Sequence, residues 1–248
     1  MIELSLRFPP ELRFFLSARH RTEVVRTAYD GTSSLGHVVE SLGVPLTEVG
    51  CLRADGRAVA ASHRPADGAR VDVRPVPRPQ ALPGPPAFLL DVHLGTLARR
   101  LRLVGVDTAY HNDAEDEVLL EQANAERRTL LTQDRGLLRR RALWSGAYVR
   151  GSRPDEQLVD VLRRFAPPLA PWTRCLACNG RPVPVPKAAV DALLRPGTRR
   201  NYESFLRCPD CGRVYWRGAH HGSLEATVAR ARGLYREQRP DHAPGREA

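Results

Sequence analysis

Residues 87–138 read AFLLDVHLGTLARRLRLVGVDTAYHNDAEDEVLLEQANAERRTLLTQDRGLL, and the fold of the larger part of the chain is decided here. Phe88-Leu89-Leu90 is an apolar run of strand length. Leu94, Leu97, Ala98 and Leu101 then recur at spacings of three and four, the face of a helix whose outer side is expected to carry Arg99, Arg100 and Arg102, with Gly105 as its stop. Thr108–Tyr110 reads as a second strand and Ala114–Arg127 as a second helix with Val118, Leu119 and Ala123 turned inward. Thr129–Thr132 and Arg135–Arg141 repeat the alternation, and Tyr148-Val149 with Pro154–Phe165 completes it. Strands alternating with helices predict a parallel sheet with helices on both faces.

Three carboxylates fall at equivalent points of this pattern. Asp91 directly follows the first strand, Asp134 follows the third by one residue, and Asp116 lies in the first turn of the second helix. Ligands of open parallel sheets bind beyond the strand C-termini, so these acids are expected on one rim although 25 and 18 residues separate them in sequence. Crowded carboxylates repel, and hard divalent cations relieve this by taking oxygen ligands. The expected chemistry is hydrolysis of a phosphodiester at a Mg²⁺ or Mn²⁺ centre, with Arg99, Arg102 and Arg135 on the phosphates. Each acid also has a plainer explanation: a strand-end turn for Asp91, a helix-dipole acid for Asp116, an N-cap for Asp134. Asp113, Glu115 and Glu117 crowd Asp116 and are rival ligands. No glycine-rich phosphate loop and no G-x-S-x-G elbow competes with this centre.

Towards the N-terminus, PVPRPQALPGPP at residues 75–86 holds six prolines, which stiffen a linker. Before it, Ile2, Leu4, Leu6 and Phe8 alternate with polar residues as in a half-buried strand, and Glu23–Ala28 is a second extended segment. Ser33–Leu42 predicts a capped helix with Leu35, Val38, Val39 and Leu42 on one face and Gly43 as its stop. Strand-like CLRAD, a turn at Asp55-Gly56 and Val71–Val76 suggest an α+β β-grasp unit. His20, His37 and His63 have no sequence neighbours that would make a catalytic cluster and are expected on the surface.

Towards the C-terminus, Cys175-Leu-Ala-Cys178 and Cys208-Pro-Asp-Cys211 stand 29 residues apart. Two C-x-x-C knuckles supply the four thiolates of a closed, structural zinc site, and Asn179-Gly180 and Gly212 permit the tight turns. A redox role for either pair is disfavoured because neither lies at a strand-to-helix junction. Arg213-Val-Tyr-Trp-Arg-Gly218 interleaves aromatic and basic residues. Tyr215 and Trp216 are open to two readings, a base-stacking surface with Arg213 and Arg217 or a minimal core beside the metal. His220 and His221 are expected to be surface residues, and Cys51, outside both pairs, to be buried.

Composition limits the alternatives. The 248 residues are 42% hydrophobic and 27% charged, which excludes a wholly disordered chain. Of 38 basic residues only Lys187 is a lysine, so arginine richness by itself points weakly to nucleic acid. Placement says more: residues 169–248 carry 14 basic and 7 acidic residues, where a polyanion would be held, while the remainder is nearly balanced. No charge-free apolar run approaches the roughly 18 residues of a membrane span, and MIELSLRFPPELRFF lacks the apolar centre of a signal peptide. A cytoplasmic location and no membrane partner are expected.

FLLD, HLGTLARRLRLVGVDT, DAEDEVLLEQA, LLTQDRGLL, CLACNG and CPDCGRVYWRG, in this order, resemble the Mut-seven carboxy-terminal RNase domain family over residues 87–222. The first 76 residues, with SLGVPLTEVG and DGARVDVRPV, resemble the ubiquitin-like domain that precedes it in many bacterial members. The resemblance implies a PIN-like nuclease domain at 87–166 and a zinc ribbon at 167–222, after a ubiquitin-like domain at 1–77 and a linker at 78–86; a polar tail is expected at 223–248. It makes Asp91, Asp116 and Asp134 the catalytic metal ligands and Cys175, Cys178, Cys208 and Cys211 the zinc ligands. Two departures stand out: Gln133 replaces an arginine of the third motif, and RPGTRRNYESF replaces a proline-rich segment before the second knuckle. The β-grasp unit lacks a Gly-Gly terminus, so docking of a protein partner or RNA is its expected role rather than conjugation. The implied activity is a ribonuclease whose ribbon grips RNA through Arg213, Trp216 and Arg217; the alternative is a non-catalytic RNA- or partner-binding adaptor with structural acids.

Overall fold

The computed structural model describes residues 2–218 and 221–237. Contacts divide the chain into two units, Met1–Gln80 with Leu131–Tyr148, and Ala81–Leu130 with Val149–Ala248. The cut falls inside a strand.

In the first unit, β1 (Ile2–Arg7), α1 (Pro10–Arg13), β2 (Val24–Tyr29), α2 (Leu35–Ser41), β3 (Val49–Ala54), β4 (Arg57–Val59) and β5 (Arg70–Pro75) follow one another. Their sheet has the order β2-β1-β5-β3-β4. β1 and β5 run parallel at its centre, and β2 and β3 flank them antiparallel, the β-grasp arrangement of a ubiquitin-like domain. The alternation predicted for the first strand places Leu4 and Leu6 in the core. Ser34 caps α2 by accepting from the His37 amide at 3.3 Å, and Leu35, Val38, Val39 and Leu42 are buried as expected. Asp55 and Gly56 both have positive φ, the mark of the two-residue turn that joins β3 to β4. Cys51 is half-buried rather than buried. The excursion 131–148 joins this core: Leu138 and Tyr148 belong to the same apolar cluster as Phe15 and Leu16.

The second module's elements are β6 (Ala87–Leu90), α3 (Gly95–Leu103), β7 (Asp107–Tyr110), α4 (Asp116–Ala125), β8 (Thr129–Thr132), α5 (Arg135–Leu138), β9 (Gly146–Tyr148) and α6 (Pro154–Phe165). The sheet order is β7-β6-β8-β9, with β6 and β7 parallel and Ala87 opposite Asp107. Phe88, Leu89 and Leu90 are fully buried, as are Leu97, Ala98 and Leu101 of α3. α6 matches its expected limits, opening on Pro154 and closing where Ala166 turns left-handed.

Three expectations are corrected. α4 is shorter than Ala114–Arg127, and its buried stripe is Leu119, Leu120 and Ala123, while Val118 is 51% exposed. α5 ends at Leu138, not Arg141. The expected polar tail contains α8 (His221–Glu237), which buries Val228, Ala231 and Leu234 and whose Tyr235 hydroxyl donates to the Pro167 carbonyl. A spacing of three between these apolar residues is a helical stripe, so the tail is an integral part of the fold to residue 237. Residues 238–248 and His220 lie outside the described residues.

Between α6 and α8 sit β10 (Val183–Val185), α7 (Pro196–Asn201), β11 (Phe205–Arg207) and β12 (Val214–Tyr215), with the three strands in that order in an antiparallel sheet. Val190, Leu194 and Phe205 form its small core. An apolar core of this size needs a staple, and the four clustered cysteines could supply one by holding a metal ion.

Candidate functional site

The two knuckles fold alike. Asn179 N donates to Cys175 O and Cys175 N to Gly180 O in the first; Gly212 N donates to Cys208 O and Cys208 N to Arg213 O in the second. Asn179 and Gly212 both take positive φ, the conformation that their residue types were expected to permit. Gly180 is required for a further reason: a Cβ there would strike the Asp210 carboxylate and approach the Cys208 sulfur at 3.0 Å.

The four sulfurs lie within 4.8 Å of one another, with Cys175 Sγ 3.6 Å from Cys211 Sγ and Cys178 Sγ 3.5 Å from Cys208 Sγ. A tetrahedral ion with zinc–sulfur bonds of about 2.3 Å requires edges of about 3.8 Å, so the donor set fits zinc. The thiols are electrostatically in conflict without a cation. Burial pushes Cys175 up, but the Tyr215 hydroxyl at 3.0 Å and the amides of Cys178 and Ala177 outweigh it and lower the group to about 6. Cys178 is pushed up to about 12 by burial and by the sulfurs of Cys208, Cys211 and Cys175. A bound cation removes this conflict by favouring all four thiolates. Tyr215 thus contacts the candidate metal site through Cys175.

The first knuckle is fastened to the nuclease-like sheet by polar contacts that the sequence did not reveal. Arg102, expected on the outer face of α3, is only 2% exposed. Its Nε donates to Thr108 O at 2.8 Å, and its Nη1 donates to Ala177 O at 2.7 Å and Leu176 O at 3.2 Å, the two residues between Cys175 and Cys178. Arg102 is therefore removed from the phosphate-binding set. Asp107, at the start of β7, receives Arg128 at 2.6 Å, Arg174 at 2.9 Å and Asn179 Nδ2 at 2.9 Å. Burial raises its carboxyl, but these partners outweigh it and hold the group below the ordinary range. Thr108 N donates to Asn179 Oδ1 at 3.0 Å. The knuckle consequently docks at the N-terminal end of β7, the end of the sheet opposite to Asp91.

Asp91 leaves β6 and opens a tight turn in which its carbonyl accepts from Leu94 N at 2.9 Å; the residue is 7% exposed. That turn is buttressed by Tyr110, whose hydroxyl donates to Val92 O at 2.8 Å. Gly95 makes room for the ring, since a Cβ there would lie 2.5 Å from the Tyr110 oxygen. Asp116 is half-buried and is the first residue of α4. Asp134 is exposed and caps α5: Oδ1 accepts from Gly136 N at 2.6 Å, and its own amide donates to Thr132 Oγ1 at 2.8 Å. Among the described residues, the cysteine quartet is the group of three or more candidate ligands that meets within metal-binding distance.

Of the remaining candidates, Arg99, Arg213 and Arg217 are exposed and Trp216 is 41% exposed beside Phe205. Arg135 is committed elsewhere: Nη1 donates to Phe15 O at 2.8 Å and Nη2 to Phe14 O at 3.3 Å, with the guanidinium over both rings. It too is withdrawn as a phosphate ligand. His221, a surface residue by expectation, stacks on Trp172 with ring centres 4.8 Å apart. No helix among the described residues is long and apolar enough to cross a membrane.

Neither the curated proteins nor the solved structures compared gave a match. Residues 1–81 match the Mut7-C ubiquitin family, and residues 86–228 match the family described as Mut7-C RNAse domain. The latter spans more than half of the chain and covers both the strand-end carboxylates and the cysteine quartet. The chain belongs to the Mut7-C RNAse domain family.

Proposed function

We propose that the chain is a Mg²⁺- or Mn²⁺-dependent ribonuclease that hydrolyses RNA phosphodiester bonds at Asp91, Asp116 and Asp134, with a zinc-stapled ribbon that holds the strand. The observation that carries this is the coincidence of an RNAse-domain match over 86–228 with three carboxylates that follow successive strands of its parallel sheet. Carboxylate oxygens are the donors that hard divalent cations take. A bound Mg²⁺ or Mn²⁺ would lower the pKa of water and draw charge from the phosphate.

The chain's own residues supply position and charge. The Asp91 carboxylate is buried at the strand end, in a turn fixed by Tyr110, so it loses little conformational entropy on binding an ion. Asp134 is held by Gly136 N, which orients the carboxylate. Arg99, exposed on α3, is the remaining phosphate contact near Asp91 in sequence. Trp216 offers a face for an unpaired base, and Arg213 and Arg217 flank it with charge. The ribbon docks at Asp107 and Asp91 lies beyond the other end of the sheet, so a strand touching both runs along it for about 13 Å, the length of four β residues. RNA is the partner on this reading, and the zinc is structural because four thiolates leave no open position.

A rival is favoured by one observation: Asp134 is already engaged as an N-cap, as a structural acid would be. An adaptor of this kind binds RNA in a salt-sensitive, divalent-insensitive manner and makes no product. Incubation of end-labelled single-stranded and hairpin RNA with the full chain in Mn²⁺, Mg²⁺ or EDTA separates the two. Products that require Mn²⁺ or Mg²⁺ and vanish in Asp91→Asn support the nuclease. Binding that survives EDTA without cleavage in any metal refutes it.

A further inference from the structure

We propose that the ubiquitin-like domain acts within its own chain as a clamp on the Asp134 turn, with Arg135 as the positioning residue; its catalytic consequence rests on the nuclease reading above. The residue next to Asp134 reaches about 120 positions back along the chain. Its two terminal nitrogens donate to the carbonyls of Phe15 and Phe14, and its guanidinium carbon lies 5.2 and 5.3 Å from the centres of their rings. A planar fork that bonds two carbonyls while stacking on two aromatics fixes both position and orientation, which a lysine cannot reproduce.

The contact is built from both sides. Phe14 and Phe15 form an aromatic cluster with Tyr148, at 5.5 and 5.1 Å between ring centres, and the Tyr148 amide donates to buried Glu48 Oε1 at 2.8 Å. Leu138, at the end of α5, shares the apolar core of the ubiquitin-like domain with Leu16. The Phe15 carbonyl itself occupies the place where a Cβ of residue 43 would stand, so glycine there, at φ +118°, is what lets it face Arg135. The segment that carries Asp134 is therefore gripped at its beginning by Arg135, in its middle by Leu138 and at its end by Tyr148. Asp134 Oδ1 accepts from Gly136 N, and both flank Arg135, so release of the guanidinium loosens the carboxylate's own hydrogen bond.

The test uses the full chain with Arg135→Met, Arg135→Lys and Phe14→Ala; Phe14 is 46% exposed and its truncation spares the core. Hydrogen exchange at the Gly136 amide is measured beside single-turnover kcat in Mn²⁺ and affinity for a single-stranded RNA oligonucleotide in EDTA. The clamp predicts exchange about tenfold faster in all three variants, corresponding to loss of one charge-assisted bond. It predicts kcat lower by about a hundredfold in Arg135→Met, with RNA affinity unchanged and no rescue by lysine. Unchanged exchange overturns the clamp. Weaker RNA binding with a shallower salt dependence, restored by lysine, also overturns it and returns Arg135 to the phosphate. Absence of metal-dependent cleavage by the wild type refutes the nuclease reading instead, and the exchange result then decides the clamp by itself.

Discussion

Replacing Arg102 by methionine isolates the coupling between the zinc knuckle and the nuclease-like sheet. Methionine keeps an unbranched apolar stem in a site where Arg102 is almost wholly buried, so little cavity is created. What is lost are the donors to Thr108 O, Ala177 O and Leu176 O. A buried acceptor left unsatisfied costs about 1–3 kcal/mol. Thr108 is fully buried, whereas Leu176 is half-buried and Ala177 exposed, so water satisfies the knuckle carbonyls in part. Relief of the desolvated guanidinium offsets some of the remainder. The net expectation is about 2–3 kcal/mol, or a fall in Tm of about 5–10 °C for a chain of this size. Because two of the three lost contacts lie inside the C-x-x-C turn, zinc should also leave faster when a colorimetric chelator competes for it. Differential scanning calorimetry and chelator-release kinetics on the same preparations read both effects. A Tm within 1 °C of wild type together with unchanged zinc release would refute the reasoning, showing that the knuckle does not depend on this side chain.

Gly95→Ala forces a methyl group against Tyr110 and should cost about 1–3 kcal/mol in urea unfolding, while Tyr110→Phe, which loses only the bond to Val92 O, should cost about 1 kcal/mol. The Asp107 carboxyl is held below its unfolded value, so its contribution is fully present above about pH 4 and is lost as pH falls through the lower folded pKa; Asp107→Asn should flatten the stability–pH curve in that acid window and leave its shape near pH 7 alone. Stripping the metal with a strong chelator under reducing conditions should release one zinc per chain, melt the ribbon's small core and lower Tm, and Cys178→Ser should do the same; retention of native ribbon NMR shifts without metal would contradict the staple.

Local patterns were legible where short-range rules decide them. The alternation of Leu4 and Leu6, the Ser34 cap and the whole of α6 follow from period, capping and proline placement, and the two C-x-x-C pairs announce the cluster that could hold a metal ion. Arg102 stands four residues after Ala98, on the buried stripe rather than the outer face, and its charge masks that register. Val118 is the opposite case, an apolar residue near a helix start that lies outside the buried stripe, which begins one residue later. α8 is masked by the charged and polar residues interspersed along it, although Val228, Ala231 and Leu234 form a buried stripe. The partners of Arg135 and Asp107 lie 120 and 67–72 residues away, and no local rule links them. The three carboxylates are legible as a candidate site through their place after strands, whereas the clamp on one of them is not, because its partners lie about 120 positions back along the chain.

The most direct test of the account is single-turnover cleavage of a labelled RNA by the full chain in Mn²⁺, with Asp134→Asn beside it and zinc content measured in both. Asparagine caps a helix as well as aspartate does, so the fold and the zinc should be retained. The account predicts metal-dependent products from the wild type and their loss, by a hundredfold or more, in the variant. Equal cleavage by both proteins, or none by either with RNA binding intact, would contradict it.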